Sequence, residues 1–211
     1  MPILQSVNNI LLRKWRYATI AIAVAIICWL ASNLAQTVIA STNPVISITR
    51  NYYVIAGSTA NQLRQQLNQR GPEWTPGQRF DATTRWYVRW SYRYAVRDNY
   101  CRLTSNQVRA DITITMPKWQ MPPRVSKDLV RRWQRYVTAL QRHEDGHRDH
   151  GINAAREVAQ ALERFPSRST CEQLEMSVNT AMMQIIENYS QKDVEYDRVT
   201  QHGATQGARF P

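Results

Sequence analysis

Thr84-Arg85-Trp86-Tyr87-Val88-Arg89-Trp90-Ser91-Tyr92-Arg93-Tyr94-Ala95-Val96 alternates residue by residue. Trp86, Val88, Trp90, Tyr92, Tyr94 and Val96 point one way, whereas Arg85, Tyr87, Arg89, Ser91, Arg93 and Arg97 point the other. A period of two held this long is the mark of a strand with one covered face. After a turn at Asp98-Asn99 a second alternation sets Val108, Ala110, Ile112, Ile114 and Met116 against Arg109, Asp111, Thr113 and Thr115. Two such runs joined by a short polar segment predict an antiparallel pair, apolar and aromatic on one side and wet on the other. The aromatic side requires an apolar cover.

The chain supplies that cover next. Pro117 and Pro122-Pro123 break the strand pattern, and Ser126 is placed to cap a long helix. Leu129, Trp133, Tyr136, Val137, Leu140, Ala154, Val158 and Leu162 recur at steps of three and four until Phe165-Pro166. A further helical pattern runs from about Cys171 to Tyr189, with Leu174, Val178, Ala181, Met182, Ile185 and Ile186 on one side. Upstream, Tyr52-Tyr53-Val54-Ile55 reads as a short strand ended by Gly57, and Ser58 or Thr59 caps a helix to about Asn68. Glu73 to Gln78, with Pro76-Gly77, reads as turns, and Glu195 to Pro211 as a loop holding a dense polar cluster. The fold class is α+β: a small antiparallel sheet packed on one long helix, with a second C-terminal helix.

The long helix contains His143-Glu144-Asp145-Gly146-His147, an HExxH motif. Residues four apart on a helix lie one above the other, so both imidazoles can reach one ion. Glu144 is one step round the helix. It is placed to take a proton from a water that zinc acidifies, as general base. Of the four histidines in the chain, three fall within His143–His150 and the fourth is His202, while arginine supplies most of the positive charge elsewhere.

A catalytic zinc takes three protein ligands and leaves a position open. His150 shares the face of His143 but stands about 10 Å further along the axis, too far to close a tetrahedron with both motif histidines. It reads as a supporting or exposed residue. The longer HExxHxxGxxH signature fails, because His150 holds the glycine place and Asn153 the last histidine place. The third ligand is therefore sought in Tyr196-Asp197-Arg198-Val199-Thr200-Gln201-His202-Gly203. His202 is the first choice and Asp197 the alternative, with Tyr196 assigned to stabilise an oxyanion.

Residues 1–40 differ from the rest. Arg13, Lys14 and Arg16 precede an apolar run from Tyr17 to Ala31, and no acidic residue occurs before Glu73. This order reads as a signal peptide, with Val38-Ile39-Ala40 at its end, or as a retained N-terminal membrane anchor. The catalytic domain would then span residues 41–211 and lie in the periplasm or outside the cell, touching membrane only through the N-terminal segment. Cys28 falls within the leader. Cys101 and Cys171 remain, an even pair in an exported domain, and read as one disulfide. Of the net charge of +11, the leader carries three units and leaves +8. The basic residues are spread along the chain, which favours a solvated surface over a specific nucleic-acid site and leaves an anionic envelope polymer as a partner.

Tyr52-Tyr53-Val54, Arg79-Phe80-Asp81-Ala82-Thr83-Thr84-Arg85-Trp86, the HExxH segment, and Tyr196-Asp197 through His202-Gly203-Ala204-Thr205-Gln206-Gly207-Ala208 together give the chain a resemblance. From Tyr52 onward it resembles a bacterial family of predicted secreted zinc-dependent proteases, catalogued as a domain of unknown function. The resemblance implies zinc and a zincin-like hydrolase, and names no substrate. Three readings follow. The first is an exported metallopeptidase acting on a peptide or protein. The second is a zinc amidase or other hydrolase acting on peptidoglycan. The third is a non-enzymatic envelope module whose histidines hold a structural ion.

Overall fold

The computed structural model describes residues 43–210, so the expected leader (1–40) lies outside the described residues. The elements in chain order are β1 (Val45–Ala56), α1 (Ala60–Arg70), β2 (Glu73–Thr75), β3 (Gln78–Arg79), β4 (Thr83–Arg97), β5 (Tyr100–Gln120), α2 (Lys127–Glu163) and α3 (Cys171–Thr200). A 3-10 turn at Ala204–Gln206 follows. Among the described residues no helix is long and apolar enough to cross a membrane.

The long alternating stretch forms β4, hydrogen-bonded antiparallel to β5 across a turn at Asp98 and Asn99. Both turn residues have positive φ (52° and 63°), as a tight hairpin with the right-handed strand twist demands. Val108, Ala110, Ile112, Ile114 and Met116 are all buried, and Trp86, Val88, Trp90 and Tyr92 pack beside them. The hairpin tip outruns its cover. Tyr94 and Val96 continue the alternation but are 41% and 67% exposed, past a register shift at Arg93/Tyr94.

The sheet is not the antiparallel one expected. Its order is β1-β5-β4, and β1 pairs with β5 in parallel, from Val45 opposite Arg109 to Ala56 opposite Gln120. β1 ends and β4 begins at the same end of β5, so α1 and the β2–β3 hairpin carry the chain from one edge to the other without a return along the sheet. β5 then fills the centre. The strand also runs through Pro117, which was expected to break it. Pairing of β4 with β5 stops at Thr83–Thr115, so at Pro117 the strand bonds only to β1 and is locally an edge.

α2 is capped by Ser126, whose side chain accepts from Leu129 N, and at 37 residues it is about 55 Å long. Its buried stripe runs from Leu129, Trp133 and Tyr136 through Leu140 to Ala154, Val158 and Leu162 and covers the apolar face of the sheet. Thr59 caps α1 in a reciprocal capping box with Gln62. α3 extends to Thr200, well beyond Tyr189, so the segment from Glu195 to Thr200 is helix and not loop. Its N-terminus is tied to the hairpin. Cys101 and Cys171 form the expected disulfide, and Cys101 also exchanges two backbone hydrogen bonds with Arg168.

Candidate metal centre

His143, Glu144 and His147 lie on the buried stripe of α2, at 3%, 3% and 8% exposure. Two histidines and a carboxylate in an otherwise apolar face cannot be left unpaired without a large desolvation cost. The histidines meet carboxylates of α3, whose last turns cross this face, and Glu144 meets β4. Asp197 Oδ1 lies 3.1 Å from His143 Nε2 and 3.2 Å from His147 Nε2, and the two Nε2 atoms are 3.3 Å apart.

The outer nitrogens fix what these atoms present. His147 Nδ1 is 2.8 Å from Asp193 Oδ1, and His143 Nδ1 is 3.1 Å from Gln206 Oε1. A carboxylate only accepts, so His147 Nδ1 carries the proton there, and the amide oxygen of Gln206 asks the same of His143. Both Nε2 lone pairs then converge on the Asp197 oxygen. Three electron-rich atoms meet at one point, which therefore requires a positive charge. Without a metal the requirement falls on a proton. Burial opposes charge on His147, but Asp193 and Asp197 outweigh it and push its pKa up to about 10. Burial likewise opposes the charge on Asp197, yet its interactions with His143 and His147 hold its carboxyl far below the usual range.

His143, His147 and Asp197 could hold a metal ion, and their spacing suits one. An ion with tetrahedral bonds of about 2.0–2.1 Å keeps its ligand atoms about 3.3–3.4 Å apart. Two of the observed separations, 3.1 and 3.2 Å, fall just short of that, and the third, 3.3 Å, meets it. His147, His150 and Asp193 form a second group of three donors, but Asp193 Oδ1 is only 2.8 and 2.6 Å from the two Nδ1 atoms. Those are hydrogen-bond lengths, too short for ligands that share an ion. Asp193 is thus the carboxylate that orients His147, as ligand imidazoles require. His150, expected as a supporting or exposed residue, is 24% exposed at its side chain and bonds Asp193 through Nδ1.

Glu144 is held from the sheet. Thr84 Oγ1 lies 2.7 Å from its Oε2 and 3.2 Å from its backbone oxygen. Burial pushes the Glu144 pKa up, partly offset by Thr84 and the two histidines. Trp86, two residues along β4, donates from Nε1 to Asp193 Oδ2 at 2.6 Å. Its ring lies against Gly151, where a Cβ would come within 2.6 Å of Trp86 Cγ.

Tyr196 stacks on His143, with ring centroids 5.0 Å apart and planes 10° apart, and meets His147 and His150 edge-on. Its hydroxyl is 3.0 Å from Gln206 Nε2. It also occupies the space a side chain would need at Gly146, the second free position of the HExxH motif. His202 stands past the end of α3 with its side chain 56% exposed and its ring 5.1 Å from Phe80. Its Nδ1 lies 3.2 Å from Asp197 Oδ1, but it does not join the set of atoms within 4.8 Å of one another that His143, His147 and Asp197 make. Nearby, Asp81 bonds Arg64 and the buried Tyr136 hydroxyl, and its backbone oxygen accepts from Tyr53.

The motif predicted His143, Glu144 and His147 as a unit, and the fold brings them together. Asp193, Gln206, Thr84 and Trp86 were not anticipated as site residues. Asp193 and Asp197 repeat the four-residue spacing of the histidines, a signal readable only once α3 is extended past Tyr189. No curated protein and no solved structure matches the chain. A family model described as a bacterial protein of unknown function, DUF922, matches residues 50–203, which include both motif histidines, Asp193, Asp197 and the β4 supports. Because that match spans well over half of the chain, the protein belongs to the DUF922 family.

Proposed function

We propose that the domain is a zinc-dependent peptidase of the cell envelope, with His143, His147 and Asp197 as the metal ligands and Glu144 as the general base. The observation that carries the reading is the triangle of two Nε2 atoms and one carboxylate oxygen at 3.1–3.3 Å, beside a buried glutamate. Histidine and carboxylate donors suit zinc, and three of them leave a position open for chemistry, whereas a structural zinc is closed by a fourth protein ligand. When bound, zinc supplies a Lewis acid that acidifies water and polarises a carbonyl.

The chain's own residues do the rest. Thr84 occupies Glu144 Oε2, so Oε1 is the atom left to take the proton of the attacking water and deliver it to the leaving amine. Burial raises the basicity of that carboxylate, which favours taking the proton from water. Asp193 and Gln206 hold the imidazoles in the tautomer that points Nε2 inward. Tyr196 is assigned to the oxyanion. Its hydroxyl pairs with Gln206, so that role requires the pair to part when substrate arrives. The Cys101–Cys171 disulfide supports an oxidising compartment.

The test is Glu144→Gln. Glutamine keeps the shape and the bond to Thr84 but cannot take a proton. The variant should bind zinc as the parent does, measured by metal analysis, and lose about 10²–10⁴-fold in peptide hydrolysis. Hydrolysis at the parental rate would remove Glu144 from the mechanism.

A further inference from the structure

Beside the metal centre runs a groove of about 920 Å³ between the first half of α2 and the chain after the 3-10 turn. One wall is a stripe of α2 carrying Arg132, Arg135 and Arg142, and the other carries Arg209. Tyr136 and Phe210, both buried, lie beneath it, and among the described residues no carboxylate side chain lines it. None of these four arginines makes an ion pair among the described residues, although Arg64, Arg148 and Arg198 each do. The groove ends at Gln206, which lines it and also accepts from His143 Nδ1. It therefore leads to the metal centre through one side chain.

We propose that this groove binds an acidic stretch of a polypeptide substrate and directs the neighbouring backbone to the metal centre. The proposal rests on the peptidase reading and adds a substrate class to it. Unpaired guanidinium groups crowded around a concave surface raise the local concentration of carboxylates and bond them through paired N–H donors. From Arg132 to Arg142 the stripe covers about 15 Å of helix axis, the length of about four to five extended residues. Among anionic polymers the occupant is a polypeptide, because the groove adjoins the residues proposed to cut one, and a phosphate polymer or a sulfated glycan offers them no peptide bond.

A fluorescein-labelled Glu-rich peptide and its Gln-for-Glu isostere, titrated by anisotropy into the full-length Glu144→Gln protein, test the idea. The Glu peptide should bind more tightly, and added salt should weaken it. Combining Arg135→Glu with Arg142→Glu should cost about tenfold in affinity for the Glu peptide. The Arg93→Glu, Arg97→Glu pair on the exposed hairpin changes net charge equally and should cost little. Arg135→Ala with Arg142→Ala, checked for folding by circular dichroism, guards against disruption by reversed charge. Equal affinity for both peptides, equal losses in the groove and hairpin variants, or binding of heparin without binding of the Glu peptide would each overturn the proposal. Chelating the metal should leave peptide binding intact. Hydrolysis by the zinc-loaded parent is scored separately, so a peptide that binds in the groove but is never cut counts against the peptidase reading alone.

Discussion

Two helices face each other across the centre with the same spacing and opposite chemistry. α2 presents His143 and His147, and α3 presents Asp193 and Asp197, each pair one turn apart. On α2 the imidazoles replace apolar residues in a stripe that packs on the sheet. On α3 the carboxylates replace the apolar stripe itself: in its last turns the partly buried positions are Asp193, Tyr196 and Asp197, and Thr200 is buried. The packing of these turns is thus polar, and its two carboxylates are met by the histidines opposite, with Trp86 and Gln206 beside them. One helix would fold without the site. The end of the other is held by it.

The two carboxylates are expected to differ although they sit on one helix face. Asp197 touches both Nε2 atoms, so in the proposed centre Asp197→Ala removes a direct ligand and should lower zinc affinity beyond the range of any supporting residue, leaving the site nearly empty in a competitive chelator titration. On the imidazoles Asp193 touches only the outer nitrogens of His147 and His150, and its other oxygen accepts from Trp86. Asp193→Ala should therefore cost about 10–100-fold in affinity, the usual penalty for losing a group that orients a ligand imidazole. Equal losses would dissolve the distinction between the two.

The same comparison explains what could be read in advance. HExxH was legible because it interrupts a strong apolar period without breaking it: His143 and His147 fall where Leu or Val would also fit. Ser190 to Thr200 gave no such period, because its buried positions are the polar residues of the site. Read with hydrophobicity as the only guide to burial, the stretch becomes a loop. The helical steps from 193 to 196, 197 and 200 are present, but in aspartate, tyrosine and threonine. Only the end of β1, Tyr52 to Ile55, was legible as a strand, and its partner was not, since alternation identifies a covered face and says nothing of direction. Thr84 was visible only as a member of an alternating strand, and its bond to Glu144 depends on how α2 lies over the sheet.

Gly146 tests how tightly the two helices are fitted. The sequence gives no reason for glycine inside a helix, where it costs about 1 kcal/mol against alanine. The reason is Tyr196, whose phenol ring lies where a side chain would project. Gly146→Ala should therefore destabilise the fold by about 1–3 kcal/mol despite its better helix propensity, as overpacking does. It should also disturb the stack on His143, visible as weakened metal binding. A variant more stable than the parent in urea unfolding would mean that α3 yields easily and that the helix pair is looser than described.

The smallest effect is expected at His202, the residue first assigned as the third ligand. Its imidazole is more than half exposed, leans on Phe80, and reaches Asp197 Oδ1 at 3.2 Å without joining the two Nε2 atoms. A contact made by so exposed an imidazole is worth about 0–1 kcal/mol, so His202→Ala should change zinc affinity less than about fivefold. The ranking follows from position on the fold. Asp197 is carried by a regular helix braced against α2, whereas His202 follows the helix end in a left-handed conformation at φ 51°. A ligand on the helix is already placed, and one beyond it has to be drawn inward from solvent. Chelator titration of His202→Ala beside Asp197→Ala, both checked by circular dichroism, decides between them. If His202→Ala is the empty protein and Asp197→Ala keeps its zinc, the imidazole swings onto the ion and the carboxylate is its support, and the ligand assignment argued from the triangle is reversed.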